Sequence, residues 1–186
     1  LVIADVSGHG ISASMVMAMF KMLLRREIRP GRNLTEALHR LNRALLEQVG
    51  GLHYVTVFLA VIDPTAKSME WCSAGHCPQV LLKADGRMEE LMAEGLFVGM
   101  FDEFFAESRT LPLEPGDTLL LYTDGITEAE NSDGELFGME RLREVLASLN
   151  AAPPKAVLDG LLGSMGLFVD GQPRQDDLTL VAVRAV

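Results

Sequence analysis

Apolar residues follow two different periods along this chain, and the change of period predicts where helices and strands lie. From Ile11 to about Glu27 they recur every three to four residues, as in an amphipathic helix. A second helical stripe follows a cap at either Asn33 or Thr35. Two further helical patterns cover residues 139–149 and 154 to about 165. We therefore predict two helices early in the chain and two late in it.

Runs rich in β-branched and aromatic residues, bounded by turn residues, predict strands. The predicted strands cover residues 1–4, 54–62, 68–73, 79–83, 104–111, 117–122 and 178–186. The strands at 104–111 and 117–122 are expected to pair with each other across Pro115-Gly116. Long runs of like elements favour an α+β layered fold with mainly antiparallel sheet over alternating βα units.

Composition narrows the class of protein. A length of 186 residues suits one domain, so we predict a single domain over residues 1–186. The formal charge of -10, from 16 basic and 26 acidic residues, argues against a nucleic-acid partner, which selects a basic face. We find neither an apolar run of membrane-spanning length nor a signal peptide, so we expect a cytoplasmic protein without a membrane segment. Cys72 and Cys77 are expected to be free, buried thiols.

The first residues already read as a buried strand, without any linker or cap before them. We therefore expect the domain to be truncated, with N-terminal strands missing upstream. If those strands are missing, one edge of the sheet is bare, and a bare edge favours pairing with another chain. A homodimer is therefore a hypothesis.

Three acidic residues lie where predicted buried strands begin or end. Asp5 and Asp124 follow such strands, and Asp176 precedes one. If the last strand runs antiparallel to the other two, all three carboxylates reach the same sheet edge. Clustered carboxylates repel one another, and oxygen ligands of this kind suit Mg²⁺ or Mn²⁺. The alternative is that each Asp is only a turn or cap residue.

Four motifs in order resemble those of the metal-dependent (type 2C-like) protein phosphatases. The similarity is greatest to the bacterial branch of sporulation stage II E and sigma-regulator phosphatases. The motifs are Asp5-Val6-Ser7-Gly8-His9-Gly10, Ser73-Ala74-Gly75-His76-Cys77-Pro78, Glu114-Pro115-Gly116-Asp117 leading into Tyr122-Thr123-Asp124-Gly125, and Asp176-Asp177-Leu178-Thr179. The resemblance covers nearly the whole chain and implies an α-β-β-α sandwich of two antiparallel sheets flanked by helices.

The resemblance also implies a site that holds two Mn²⁺ or Mg²⁺ ions bridged by a water. Asp5 would bridge the ions, Val6 would donate its backbone carbonyl, and Asp124 and Asp176 would hold the other ion. Asp177 ranks below Asp176, because the first Asp of the pair matches the family ligand. The activated water would attack phosphorus in line with the departing Ser or Thr oxygen, so no protein nucleophile is required. The family carries one more acidic residue upstream of the first motif, and this sequence does not contain it.

Several other residues are weaker candidates. His9 is a possible general acid with a turn or helix-start role as its alternative, and His76 is expected to support the site structurally. Thr123 and Thr127 either orient waters or bond backbone groups, and the second role is favoured. Nothing in the sequence selects a phosphate-binding cation among Arg32, Lys83 and Arg174.

Three functions compete. The first is a phosphatase acting on phosphoserine or phosphothreonine of a protein, by resemblance an anti-sigma-factor antagonist in a partner-switching pathway, with a sensor or receiver domain upstream. The second is a catalytically impaired docking module that retains the fold. The third is a metal-dependent hydrolase of small phosphate esters. A scaffold has no need for like-charged acids at one sheet edge, which favours the enzyme.

Overall fold

The computed structural model describes residues 1–29, 31, 33–173 and 176–186, which form two compact units. The first unit comprises Leu1–His76 and Met92–Pro112, and the second comprises Cys77–Leu91 and Leu113–Val186. The elements in chain order are β1 (Val2–Val6), α1 (Gly10–Glu27), α2 (Leu34–Val49), β2 (Val55–Asp63), β3 (Ser68–Ala74), β4 (Gln79–Leu82), β5 (Met88–Leu91), β6 (Ser108–Pro112), β7 (Thr118–Tyr122), a 3₁₀ helix (Asp124–Ile126), α3 (Gly138–Ser148), α4 (Pro154–Val169) and β8 (Leu180–Arg184).

The first unit is an antiparallel four-stranded sheet in the order β1-β2-β3-β6, with α1 and α2 packed on it. Both helices turn an apolar stripe to the sheet, and Phe20 and Leu38 are almost fully buried there. Asn33 caps α2, since its side-chain oxygen accepts a hydrogen bond from the Glu36 N–H at 3.0 Å. Gly50 ends α2 in the left-handed region, with φ of 60°.

The second unit is an antiparallel four-stranded sheet in the order β5-β4-β7-β8, with α3 and α4 beside it. Its core joins Leu120 of β7 to Leu142 of α3 and Leu161 of α4, all nearly inaccessible to solvent. All five residues of β7 are buried, and Leu120 and Tyr122, which share one face of this interior strand, pack in the core with α3 and α4.

One predicted strand pairing is wrong. The strands at 104–111 and 117–122 do not pair, since β6 pairs with β3 and β7 pairs with β4 and β8. The Pro115-Gly116 turn is closed instead by Asp117, whose carboxylate accepts the Glu114 N–H at 3.0 Å. The first of these strands also begins at Ser108, because Ala106 forms only an isolated bridge with Gly95.

The predicted fold class is confirmed: an α+β fold with two antiparallel sheets and flanking helices. Most predicted element ends lie within a few residues of the observed ones. Among the described residues, each helix is either too short or too polar to cross a lipid bilayer. Whether the two units act as a single domain over residues 1–186 stays a prediction.

Candidate metal centre

Asp124 lies where the central strand of the second sheet ends. The chain leaves β7 after Tyr122 and turns into the 3₁₀ helix that begins at Asp124, whose side chain is half-buried. The Asp124 carbonyl accepts hydrogen bonds from the Glu128 N–H at 2.8 Å and from the Thr127 hydroxyl at 3.0 Å. These bonds fix the backbone of the turn from which the Asp124 carboxylate projects.

Asp176 approaches the same end of this sheet from the neighbouring strand. β8 runs antiparallel to β7, with Tyr122 opposite Leu180, so the residues before β8 lie beside those after β7. Thr123 continues the ladder, because its N–H donates to the Thr179 carbonyl at 3.1 Å. Asp176 is exposed and accepts the Asp177 N–H at 2.7 Å. The prediction that Asp124 and Asp176 reach one sheet end is confirmed.

The two segments approach each other so closely that Gly125 has no room for a side chain. A Cβ built at Gly125 would lie 2.4 Å from the Asp177 carbonyl oxygen and 3.2 Å from its carbonyl carbon. Glycine is therefore required here for a close backbone approach. Asp124 and Asp176 each lie next to one of the two segments that meet at this close approach. Carboxylate oxygens are the donors that Mg²⁺ and Mn²⁺ prefer, so the chemistry of these two residues suits such an ion.

Asp5 and Val6 lie at the end of β1, opposite Thr56 and Val55 of β2. The expectation that Asp5 shares a sheet edge with the other two acids is wrong, because β1 belongs to the first sheet. Strand ends can be recognised in a sequence, but the sheet that each strand joins is a long-range property.

The backbone at Val6 suits the predicted carbonyl ligand. The Ser7 N–H donates to the Tyr54 carbonyl at 2.9 Å, so Ser7 faces β2. Because successive residues of a strand point their backbone groups in opposite directions, Val6 turns its carbonyl away from β2. The Val6 side chain is buried, and it therefore contributes nothing polar.

The loop after Val6 is anchored by His53, which carries no signal in the sequence, and by Tyr54, which the sequence marked only as the start of a strand. The Ser7 hydroxyl accepts the Tyr54 N–H at 2.9 Å, and the His53 Nδ1 lies 3.0 Å from the Ser7 carbonyl oxygen. Gly8 and Gly10 both have φ above 80°, in the left-handed region. The turn of the first motif is thus shaped by its glycines and held by the start of β2.

The two candidate histidines have different surroundings. His9 is exposed at the start of α1 and makes no side-chain capping bond, and its role as a general acid stays a prediction. His76 is 8% exposed, and its Nδ1 lies 2.8 Å from the Thr56 hydroxyl. Thr56 is the strand partner of Asp5, so His76 braces the strand beside that acid.

Thr123 bonds backbone groups, as expected. Its hydroxyl donates to the Asp177 carbonyl at 3.1 Å and accepts the Thr179 N–H at 3.0 Å. The Thr127 hydroxyl does likewise with Asp124. Both threonines therefore hold the chain around the predicted ligands.

Cys77 lies in the surroundings of Asp124. Burial raises the pKa of the Cys77 thiol to about 12, and the negative charge of Asp124 adds to the rise. Burial likewise raises the pKa of Cys72 to about 12. Both thiols are free, as expected, and Cys72 is buried while Cys77 is partly exposed.

Lys83 is not available to a phosphate. Its ammonium group pairs with the Asp117 carboxylate, and the Lys83 side chain is only 11% exposed. Burial acts to raise the pKa of Asp117, but hydrogen bonds from Lys83 and from two backbone N–H groups outweigh it and lower the pKa. The other two candidate cations, Arg32 and Arg174, lie outside the described residues.

Within the part of the chain that the structure describes, no group of three or more His, Cys, Asp or Glu side chains is close enough to hold a metal ion. The second unit carries Asp124 and Asp176, and the first carries Asp5 and Val6. The complete ligand set therefore stays a prediction.

Comparison with known proteins gives a match over the full length. Residues 1–186 match the family model described as stage II sporulation protein E (SpoIIE). The chain is similar to protein IcfG of Synechocystis sp., with 29% identity over 98% of this chain and 33% of IcfG. It is also similar to the phosphoserine phosphatase RsbU of Bacillus subtilis, with 28% identity over 99% of this chain and 55% of RsbU. The chain thus spans less than two thirds of either relative.

A solved structure supports the same relationship. The PP2C phosphatase domain with a fragment of the regulatory domain of the cell fate determinant SpoIIE, from Bacillus subtilis, superposes with a TM-score of 0.84. The identity is 25%, and the match covers 98% of this chain and 53% of that one.

Proposed function

This chain belongs to the stage II sporulation protein E (SpoIIE) family, and from that membership we propose that it hydrolyses phosphoserine or phosphothreonine on a protein in a metal-dependent reaction. The family resemblance predicted from the four motifs is thereby confirmed. The placement of Asp124 and Asp176 at one end of the second sheet, around the close approach at Gly125, is the single observation that carries this function.

Phosphatases of this type require divalent metal ions, and we propose that this chain binds two Mn²⁺ or Mg²⁺ ions. The proposed ligands are the carboxylates of Asp5, Asp124 and Asp176 and the backbone carbonyl of Val6. Such ions activate water and neutralise the charge of phosphoryl oxygens. The chain's own contribution is to hold oxygen donors at strand ends, as seen for Asp124, whose carbonyl accepts hydrogen bonds from the Glu128 N–H and from the Thr127 hydroxyl.

His9 is the proposed general acid, which would donate a proton to the departing serine or threonine oxygen. Its exposed ring at the start of α1 lies four residues beyond Asp5. Replacement by Gln keeps hydrogen bonding but removes proton transfer, so His9→Gln should lower kcat at unchanged Mn²⁺ affinity.

The proposed substrate is a phosphorylated anti-sigma-factor antagonist in the cytoplasm. RsbU, to which this chain is similar, is itself named a phosphoserine phosphatase. We further propose a single catalytic domain over residues 1–186, accompanied in the full-length protein by a sensor or receiver domain, and a homodimeric state. The greater lengths of IcfG and RsbU are consistent with an accompanying domain.

The test is phosphate release with Mn²⁺ from a serine-phosphorylated peptide and from p-nitrophenyl phosphate, compared between wild type and Asp176→Asn. Asp159→Asn is the matched control, because Asp159 is exposed on α4 and forms a surface pair with Lys155. We expect wild type and the control to act on the peptide and Asp176→Asn to be inactive. Activity on the small ester alone would favour a metabolite hydrolase. Mn²⁺ binding without activity on any phosphopeptide would favour a docking module.

A further inference from the structure

The antiparallel ladder between β4 and β7 meets a proline just where it approaches Asp124. Leu82 pairs with Thr118 and Val80 pairs with Leu120, so this register places Pro78 opposite Tyr122. Proline has no N–H, so it cannot donate to the Tyr122 carbonyl. The backbone immediately before the Thr123-Asp124 turn would therefore lose a ladder bond.

The side chain of Gln79 takes the place of the missing backbone partner. Its Oε1 accepts the Tyr122 N–H at 2.7 Å, and its Nε2 donates to the Tyr122 carbonyl at 3.1 Å. The second hydrogen of Nε2 goes to the Cys77 carbonyl at 2.8 Å. A side-chain amide carries one donor group and one acceptor group, like a backbone peptide, and can therefore complete the ladder.

These bonds are buried, which makes them hard to replace. Gln79 and Tyr122 are both fully inaccessible to solvent. If the amide is removed, the Tyr122 N–H and carbonyl each lose a strong hydrogen bond in a place that water does not reach, and the Cys77 thiol, with its Sγ 3.4 Å from the carbonyl oxygen, is a weaker donor. Buried backbone groups are almost always well paired, so this loss favours a shift of the strand end.

The other side of the same strand end is held by Thr123. The Thr123 hydroxyl bonds the backbone of Asp177 and Thr179 on the β8 side. Hydrogen bonds on the β4 side thus hold Tyr122, and hydrogen bonds on the β8 side hold Thr123. These are the two residues directly before Asp124. This arrangement fixes where the carboxylate leaves the sheet.

We propose that Gln79 is a positioning residue, which sets the place of Asp124 for metal binding by hydrogen-bonding both backbone groups of Tyr122. This inference rests on the proposed function, since it concerns the affinity of the chain for the metal. Gln79 itself would contact neither metal nor substrate. Partners that orient a metal ligand typically change metal affinity by about 10- to 100-fold, and we expect about tenfold because Gln79 acts through the backbone.

The experiment compares Gln79→Met with two controls in the full chain. Met keeps the length and volume of Gln but removes both polar groups. Val157→Ala creates a cavity in the same unit, in the apolar core between α4 and the sheet, and Gln48→Met makes the same exchange at an exposed site on α2. Two quantities are measured: Mn²⁺ affinity by calorimetry, and amide hydrogen exchange of Tyr122 by NMR in the metal-free chain.

We expect Gln79→Met to bind Mn²⁺ about tenfold more weakly and to lose protection of the Tyr122 amide while the Leu120 amide stays protected. Val157→Ala should keep wild-type Mn²⁺ affinity although it is less stable, and Gln48→Met should match wild type throughout. Wild-type Mn²⁺ affinity in Gln79→Met, or an equal loss in Val157→Ala, would overturn the positioning role. If wild type does not bind Mn²⁺, the proposed metal-dependent function fails, and the inference fails with it.

Discussion

Gly125→Ala is the substitution whose effect on the candidate metal centre follows most directly from the structure. The added Cβ would lie 2.4 Å from the Asp177 carbonyl oxygen, and real Cβ atoms essentially never approach another atom within 3.0 Å. The Asp177 segment must therefore retreat by at least the difference, 0.6 Å. The obstacle is backbone, which Thr123 and Thr179 hold in the ladder, so it cannot swing aside as a side chain would.

Two consequences follow for Gly125→Ala. Overpacking of this kind typically lowers the free energy of unfolding by about 1–3 kcal/mol. The retreat also moves Asp176 away from Asp124, and a displaced ligand should weaken Mn²⁺ binding by about 10- to 100-fold. Gly125 does not have a positive φ, so alanine adds no backbone strain to the steric effect.

The assays are urea unfolding and calorimetric titration with Mn²⁺. Gly163→Ala is the matched control, because no atom of the described residues lies within 4 Å of a Cβ built at Gly163 in α4. Alanine is the better helix former, so this control should be as stable as wild type or more stable by up to about 1 kcal/mol, with unchanged Mn²⁺ affinity. Wild-type Mn²⁺ affinity in Gly125→Ala would refute the link between this close approach and metal binding.

Three further predictions concern stability and reactivity. Asp117→Asn leaves Lys83 without its buried partner and should lower the free energy of unfolding at pH 7 by about 3–5 kcal/mol, measured by urea unfolding. Because the folded pKa of Asp117 is lowered, its stabilisation is present above about pH 4 and is lost as the pH falls through that pKa, so the two proteins should converge in acid. With pKa values raised to about 12, Cys72 and Cys77 should react with a thiol reagent at pH 8 about a thousandfold more slowly than in the unfolded chain, and equal rates would contradict this. Asn42→Leu removes one buried and one partly buried hydrogen bond to the backbone of residues 99–101 and should lower the free energy of unfolding by about 2–3 kcal/mol, measured by urea unfolding. A loss below about 1 kcal/mol would show that water replaces these bonds.

The sequence was sufficient for the helices and most strands because their apolar periods are local. The helix predicted from Ile11 begins at Gly10, and the strand predicted at 68–73 ends one residue later, at Ala74. Pairing was not predictable in the same way. The strand that begins at Ser108 joins β3, far away in sequence, although a tight turn suggested its neighbour at 118–122.

In the candidate site too, local features could be predicted from the sequence and long-range pairing could not. The sequence was sufficient to predict that Asp124 and Asp176 lie at one sheet end, because the order of strand ends implied an antiparallel pair. Asp5 could not be assigned to its sheet, since nothing local distinguishes the sheets. Gln79 and His53 gave no signal, because a side chain that bonds a distant backbone leaves no periodic pattern.

The most direct test of the central claim is phosphate release from a serine-phosphorylated protein substrate after the chain is stripped with EDTA and Mn²⁺ is then returned. Wild type should lose activity with EDTA and regain it with Mn²⁺, while Asp124→Asn should remain inactive at every Mn²⁺ concentration and still unfold like wild type. Release that survives EDTA, or an Asp124→Asn variant as active as wild type, would contradict a metal-dependent phosphatase built on this residue.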